Sequence, residues 1–292
     1  MSYFRKYKNT ESVSPFVSEL DESLFTRIRN SQGLPKLQVN ASSDSAEMQS
    51  FSAGEIIAYE RCPQMYRLGQ IWGYQPGLDV AIGFGNSIHF CLRRAAELVK
   101  KEGFSPLSAV ATSVDEDFHV PFAGGEVFEN LKEGAKRLLS EFTKKYGDDL
   151  RRIEEVEYRL EFPIHNATIM GKVDVILKID KEMEVRDYKT SDKGLTFDEA
   201  SVQVQLYTIG LRKMGRPVTS GSIAYLEKSD GEKTDLKKPS VEPVDVQEKR
   251  LDETRKRAES SVIGIINRRF NPKGGENCGR CDHFEICKWR HE

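Results

Sequence analysis

No stretch of the chain is apolar over anything near the roughly 18 residues that a membrane-crossing helix needs, so no membrane partner is expected. The N-terminus, Met1-Ser-Tyr-Phe-Arg-Lys-Tyr-Lys8, is basic, but no apolar stretch follows it. It therefore does not read as a secretory signal, and a cytoplasmic protein is expected. An excess of one charge is also missing: 44 Lys and Arg against 46 Asp and Glu leave a net charge of −2. With no global basic field, any nucleic acid has to be met by local patches. Candidates are Arg93-Arg94, Arg151-Arg152, Lys249-Arg250 with Arg255-Lys256-Arg257, and Arg268-Arg269, each of which reads first as a solvated helix face. Cysteine is scarce and odd in number: Cys62, Cys91, Cys278, Cys281 and Cys287. Such a set in a cytoplasmic chain is not a disulfide framework. There is no Gly-x-x-x-x-Gly-Lys phosphate loop, which excludes ATP hydrolysis by that route, and there are no internal repeats.

What is present fits a soluble globular protein with a sizeable core: 292 residues, 38% hydrophobic and 31% charged. Residues 1–50 read as an N-terminal extension, with a short apolar-containing segment at Ser14–Leu20 and a Ser-rich linker from Asn40. The main domain is placed at 51–292. Ser52 with Glu55 three residues on reads as a helix-opening capping box, and Cys62-Pro63 interrupts that helix. Helical spacing follows over 84–101, 106–118 and 127–146; Cys91 falls in the apolar stripe of the first of these and reads as core. The pattern then turns to period two over 153–164, 168–179 and 183–190. A helix over 198–214, a strand over 220–227, an edge strand over 234–241 and a long charged helix over 246–269 complete the domain.

The paired runs around Asp180-Lys181 carry the chemistry. Asp187 and Lys189 are two apart on one strand and share a face. A two-residue loop at Asp180-Lys181 places Asp174 opposite Asp187. Two carboxylates can hold Mg²⁺ or Mn²⁺, and a neighbouring lysine can orient or deprotonate a water or meet a phosphate as a point charge. Taken alone, Asp-x-Lys is also an ordinary solvated strand pattern. Gln203 and Tyr207 share a helix face directly after the hairpin. Cys278-x₂-Cys281-x₅-Cys287, with Cys62 far upstream, has metal-ligand spacing, and four thiolates fit Zn²⁺ or a [4Fe–4S] cluster. His89 lies near a helix N-terminus; His119, His165, His283 and His291 read as surface.

Six motifs stand in a family order: Ser52-x₆-Tyr59-x₂-Cys62-Pro63, Gly85-x₃-His89, Gly171-x₂-Asp174, Asp187-Tyr-Lys189-Thr190, Gln203-x₃-Tyr207 and the terminal cysteine triad. Together, over residues 50–290, they resemble the RecB-type branch of the PD-(D/E)XK nucleases. The resemblance implies an α/β fold with a restriction-endonuclease-like core, a mixed central sheet and flanking helices. It also implies His89, Asp174, Asp187 and the Tyr188 carbonyl as metal ligands, with Asp174, Asp187 and Lys189 catalytic. Gln203 and Tyr207 would contact DNA or support the site. Cys62, Cys278, Cys281 and Cys287 would hold a [4Fe–4S] cluster that knots the two arms of the domain, with Zn²⁺ as the alternative. Asp187 stands where many relatives carry Glu, which keeps the charge but shortens the reach. Ser14–Leu20 is similar to the segment that closes the motor core in UvrD-type helicases, which implies a nuclease domain working beside such a helicase; the leading expectation is a metal-dependent exonuclease on single-stranded DNA or DNA ends, in repair or recombination. The four cysteines and a His–Asp–acid–Lys site are also shared with CRISPR-adaptation nucleases, and trimming of spacer precursors is the alternative function that this resemblance implies. A non-catalytic DNA-binding module is the rival from another class.

Overall fold

The computed structural model describes residues 6–7, 10–11, 49–74, 83–191, 194–228, 238–275 and 278–290. The segment Ser14–Leu20, the Ser-rich linker, the turn over 229–233, residues 234–237 of the expected edge strand, and His291 lie outside them.

The chain divides after residue 47, and in the first part β1 (Lys6–Tyr7) pairs antiparallel with β2 (Thr10–Glu11). Residues 48–292 form the second. It opens with β3 (Gln49–Ser52), a strand where the sequence pattern predicts linker. Four residues are too few to show a period, and this strand exists because β5 offers it a parallel edge. The capping box follows: Ser52 Oγ accepts from the Glu55 N–H at 3.1 Å while the Ser52 N–H donates to Glu55 Oε2 at 2.8 Å. This starts α1 (Ala53–Arg61), and Pro63 then opens the short α2 (Pro63–Tyr66) at a position where its missing N–H is harmless.

Three helices come next: α3 (Phe84–Glu102), α4 (Pro106–Asp117) and α5 (Gly125–Tyr146). After the single turn α6 (Asp149–Arg152) the chain becomes extended in β4 (Ile153–Ile164), β5 (Ala167–Ile179) and β6 (Glu182–Lys189). The β5–β6 loop is Asp180-Lys181. Asp180 sits at φ +56°, a left-handed conformation that a short polar side chain tolerates. A crossover helix, α7 (Phe197–Lys213), leads to β7 (Val218–Lys228), parallel to β6. Then come the edge strand β8 (Lys238–Val244) and α8 (Glu248–Ile266).

The six-stranded sheet runs β3-β5-β6-β7-β8, with β4 on the other edge of β5, and it is mixed. One face packs on α3, α4 and α5, where Ile88, Leu92, Leu139 and Phe142 meet Val175, Leu177 and Leu226. The other is covered by α1, α7 and α8, where Ile56, Leu206 and Val262 meet Ile169, Val185 and Ile223. Cys91 lies in the first core, fully buried. Among the described residues no helix is long and apolar enough to cross a membrane.

Along one edge β5 changes partner. Residues Ala167 to Met170 pair with β3, and Val175 to Ile179 pair with β6. Gly171 to Asp174 lies between the two ladders, which leaves a cleft where β5 and β6 part.

Candidate active site

The cleft gathers the site. The β5–β6 ladder keeps the register set by the two-residue loop and stops at Val175 opposite Arg186. The next pair, Asp174 with Asp187, falls where the strands separate. Asp174 Oδ2 accepts the Tyr188 N–H at 2.8 Å, so the carboxylate takes the place of a ladder bond. From the helical side, α3 brings His89, whose Nδ1 lies 3.3 Å from Asp174 Oδ1. On β6, Lys189 Nζ lies 2.8 Å from Asp187 Oδ2 and donates to Gln203 Oε1 at 3.1 Å. Gln203 Nε2 in turn donates to the Tyr207 hydroxyl at 3.1 Å. Gln203 and Tyr207 therefore reach the acids through Lys189. Gly171 makes room for this arm: a Cβ there would stand 2.3 Å from Tyr207 Cε1. The Tyr188 ring packs edge-on to Phe142 and, with centroids 6.3 Å apart, edge-on to His89, so it backs the site while its N–H bonds Asp174.

The electrostatics follow from burial. Burial pushes the Asp187 carboxyl up to about 6; the Lys189 ammonium opposes the rise and Asp174 adds to it. Burial disfavours the His89 imidazolium, but the bond to Asp174 and the charges of Asp174 and Asp187 outweigh it, so the His89 pKa is raised. Burial lifts the Tyr207 hydroxyl to about 12, so it stays protonated. Asp187 is only 2% exposed, and its Oδ2 has the Lys189 ammonium close by but no directed hydrogen bond. A buried carboxylate oxygen without a hydrogen bond, beside a second carboxylate and an imidazole, is donor chemistry that suits a hard divalent cation. Among the described residues no three His, Cys, Asp or Glu side chains are already gathered as a metal cage; here His89 engages Asp174 and Lys189 engages Asp187. Outside the cleft opens a groove of ≈ 860 Å³, lined by His89, Asp174, Gln203 and Tyr207 together with Phe90, Glu157 and Lys172. The last three have no motif spacing; Phe90 and Lys172 are signalled only by adjacency, to His89 and Gly171, and Glu157 by nothing in the sequence.

The cysteines lie at a separate place, where among the described residues they too are not gathered into a metal cage. Cys62, Cys278, Cys281 and Cys287 line one small pocket of ≈ 20 Å³. The Lys273 N–H donates to Cys62 Sγ at 3.3 Å, which links the two arms. Burial raises the Cys281 pKa, and the neighbouring Cys62 and Cys287 add to it against a bond from the His283 backbone. His283, expected at the surface, is 8% exposed, because the turn between Cys281 and Cys287 folds it inward against Gly69. His119 and His165 are exposed as expected.

A mixed sheet between two helical layers, with an acid on one hairpin strand and acid-x-lysine on the next, defines a restriction-endonuclease-like nuclease core. Residues 50–288 match the family model of the PD-(D/E)XK nuclease superfamily, and the chain belongs to that superfamily. Among solved structures, the chain is similar to a candidate exonuclease from Eubacterium rectale, at 14% identity over 89% of this chain and 96% of that one, with a TM-score of 0.53. It also matches the structure of SSO0001, at 16% identity over 81% of this chain and 96% of that one, with a TM-score of 0.33. No curated protein matches it.

Proposed function

We propose that this chain is a divalent-metal-dependent deoxyribonuclease of the RecB type, acting as an exonuclease on single-stranded DNA or DNA ends. The observation that carries this reading is the convergence of His89, Asp174, Asp187 and Lys189 where β5 and β6 part. His89, Asp174, Asp187 and the Tyr188 carbonyl hold Mg²⁺ or Mn²⁺. The bound cation supplies Lewis acidity toward a phosphoryl oxygen and a lowered pKa for bound water. Lys189 meets the scissile phosphate as a point charge or orients the attacking water, and Gln203 with Tyr207 holds its ammonium in place. Duplex ends need a helicase of the UvrD type to open them, and the protein works beside one in cytoplasmic DNA repair.

Cys62, Cys278, Cys281 and Cys287 hold a [4Fe–4S] cluster in this reading. The support is a four-thiol donor set lining one pocket. The cluster ties the arms of the domain and takes no part in the chemistry.

The test is digestion of 5′- and 3′-labelled single strands with Mg²⁺ or Mn²⁺ by wild type, Asp174→Ala and Lys189→Ala. Both variants are expected to lose at least ~100-fold in rate, the scale on which one preorganised transition-state group contributes. Equal activity in all three proteins would sink the site assignment.

A further inference from the structure

We infer that Phe90, Arg93 and Lys172 form a nucleotide-gripping rim that seats one unstacked base and its flanking phosphates beside the acids, so that the groove selects single-stranded nucleic acid. This rests on the nuclease reading above.

The rim is built from two elements that meet at the site. On α3, Arg93 stands four residues after His89 and shares its face, and Phe90 follows His89 directly. On β5, Lys172 stands between Gly171 and Asp174. Phe90 and Lys172 both line the groove that reaches Asp174.

Phe90 is 38% exposed, unusual for a large aromatic beside a cleft. The Arg93 guanidinium lies 4.4 Å over its ring. An accessible ring carrying a guanidinium is a stacking platform, because every base offers a π-face whatever its identity. A duplex keeps those faces stacked inside, whereas a single strand can present one.

Arg93 and Lys172 are held side by side. Arg93 NH1 lies 2.8 Å from Glu157 Oε2, and Lys172 Nζ lies 2.9 Å from Glu157 Oε1. Bonding to Lys172 chiefly, with Arg93 adding to it, lowers the Glu157 pKa, so the carboxylate stays ionised. Two cations on one anion leave one positive charge over. Their side chains are 30% and 51% exposed, so both can turn to a phosphate. Glu157 sits on β4 at φ +48°, between Val156 and Tyr158, which pair with Val175 and Val173. A non-glycine residue at positive φ within a strand is strained. Here that conformation turns the carboxylate toward both cations. The other arginine runs fit a different description: Arg94, Arg152, Arg250, Arg255 and Arg257 each pair with acids away from the groove. Glu161 and the exposed Arg159 also stand on the groove wall, and with no net basic field the grip on a polyanion falls to local cations, of which Arg93 and Lys172 are the pair beside Phe90.

The experiment is fluorescence anisotropy of labelled oligo-dT and of a blunt duplex, in EDTA so that cleavage does not intervene. It compares wild type with Phe90→Leu, Arg93→Gln and Lys172→Gln over a salt series, each variant first shown to melt like wild type. Phe90→Leu is expected to weaken oligo-dT binding by roughly 5- to 150-fold, the worth of one stacked base, and to leave duplex binding unchanged. Arg93→Gln and Lys172→Gln are each expected to flatten the slope of log affinity against log salt by about 0.7. Wild-type affinity and slope in all three variants, with the wild type still cleaving DNA, would overturn the rim alone. Equal loss on both substrates in Phe90→Leu would overturn single-strand selection. A wild type that neither binds nor cleaves DNA with Mg²⁺ or Mn²⁺ would overturn the nuclease reading and the rim with it.

Discussion

Asp187 is held against its own electrostatics. It is a carboxylate 2% exposed whose Oδ2 has only the Lys189 ammonium, at 2.8 Å, to offset its burial, and burying a charge costs stability that folds tolerate chiefly where function needs it. Burial moves its pKa from the ordinary 3.8 to about 6. Between those values the folded state holds the proton more tightly than the unfolded state does. Its contribution to stability is therefore present at low pH and is lost as pH rises through about 6. In chelator, calorimetry across this range is expected to show Asp187→Asn gaining on wild type as pH rises, and melting at or above it at pH 8. A variant that melts well below wild type at pH 8 would mean that Asp187 is chiefly structural. Asp187 and Lys189 were legible because positions two apart share a face in any strand, and Asp174 because a two-residue loop sets the register. Glu157 was not legible, since its part depends on a positive φ that no spacing records.

The strand β5 decides the site by changing partner midway, and that change leaves no mark on its alternation. The sequence pattern does show the hairpin, α7 and the capping box at Ser52. It does not show β3, or that Gln203 reaches Asp187 through Lys189. The glycine of Gly171-x₂-Asp174 has a steric reason visible only once α7 is in place. A Cβ there meets the Tyr207 ring at 2.3 Å. Gly171→Ala is expected to push Tyr207 aside and cost about 1–3 kcal/mol, the usual scale of overpacking. It should also slow cleavage by loosening Gln203 from Lys189, whereas Tyr207→Phe should slow cleavage with little loss of stability. Chemical denaturation beside a cleavage assay separates the two effects. An unchanged midpoint and rate in Gly171→Ala would show that α7 shifts freely.

At the scale of the whole second unit, its N-terminal and C-terminal arms are pinned together. The Tyr59 hydroxyl donates to the Arg269 carbonyl at 2.5 Å, with its ring against Gly264. Lys273 Nζ donates to the Glu60 carbonyl at 2.7 Å, and Arg257 pairs with Glu60 at 2.9 Å. Cys62 and the C-terminal cysteines lie beside this clamp. Binding energy at such a junction is folding energy. Cys281→Ala is therefore expected to lower the melting temperature by several degrees while the residual folded protein cleaves normally. The purified protein should be brown, with visible absorbance lost on reduction. A colourless protein with stoichiometric zinc, or a variant with an unchanged melting temperature, would contradict the cluster.

The central claim is that the acids at the β5–β6 cleft perform phosphodiester cleavage. It is tested most directly by the rate at which Asp187→Asn digests labelled single-stranded DNA with Mg²⁺ or Mn²⁺, in a preparation whose melting curve matches or exceeds wild type. A loss of at least ~100-fold is the expected result; cleavage at the wild-type rate would contradict the account.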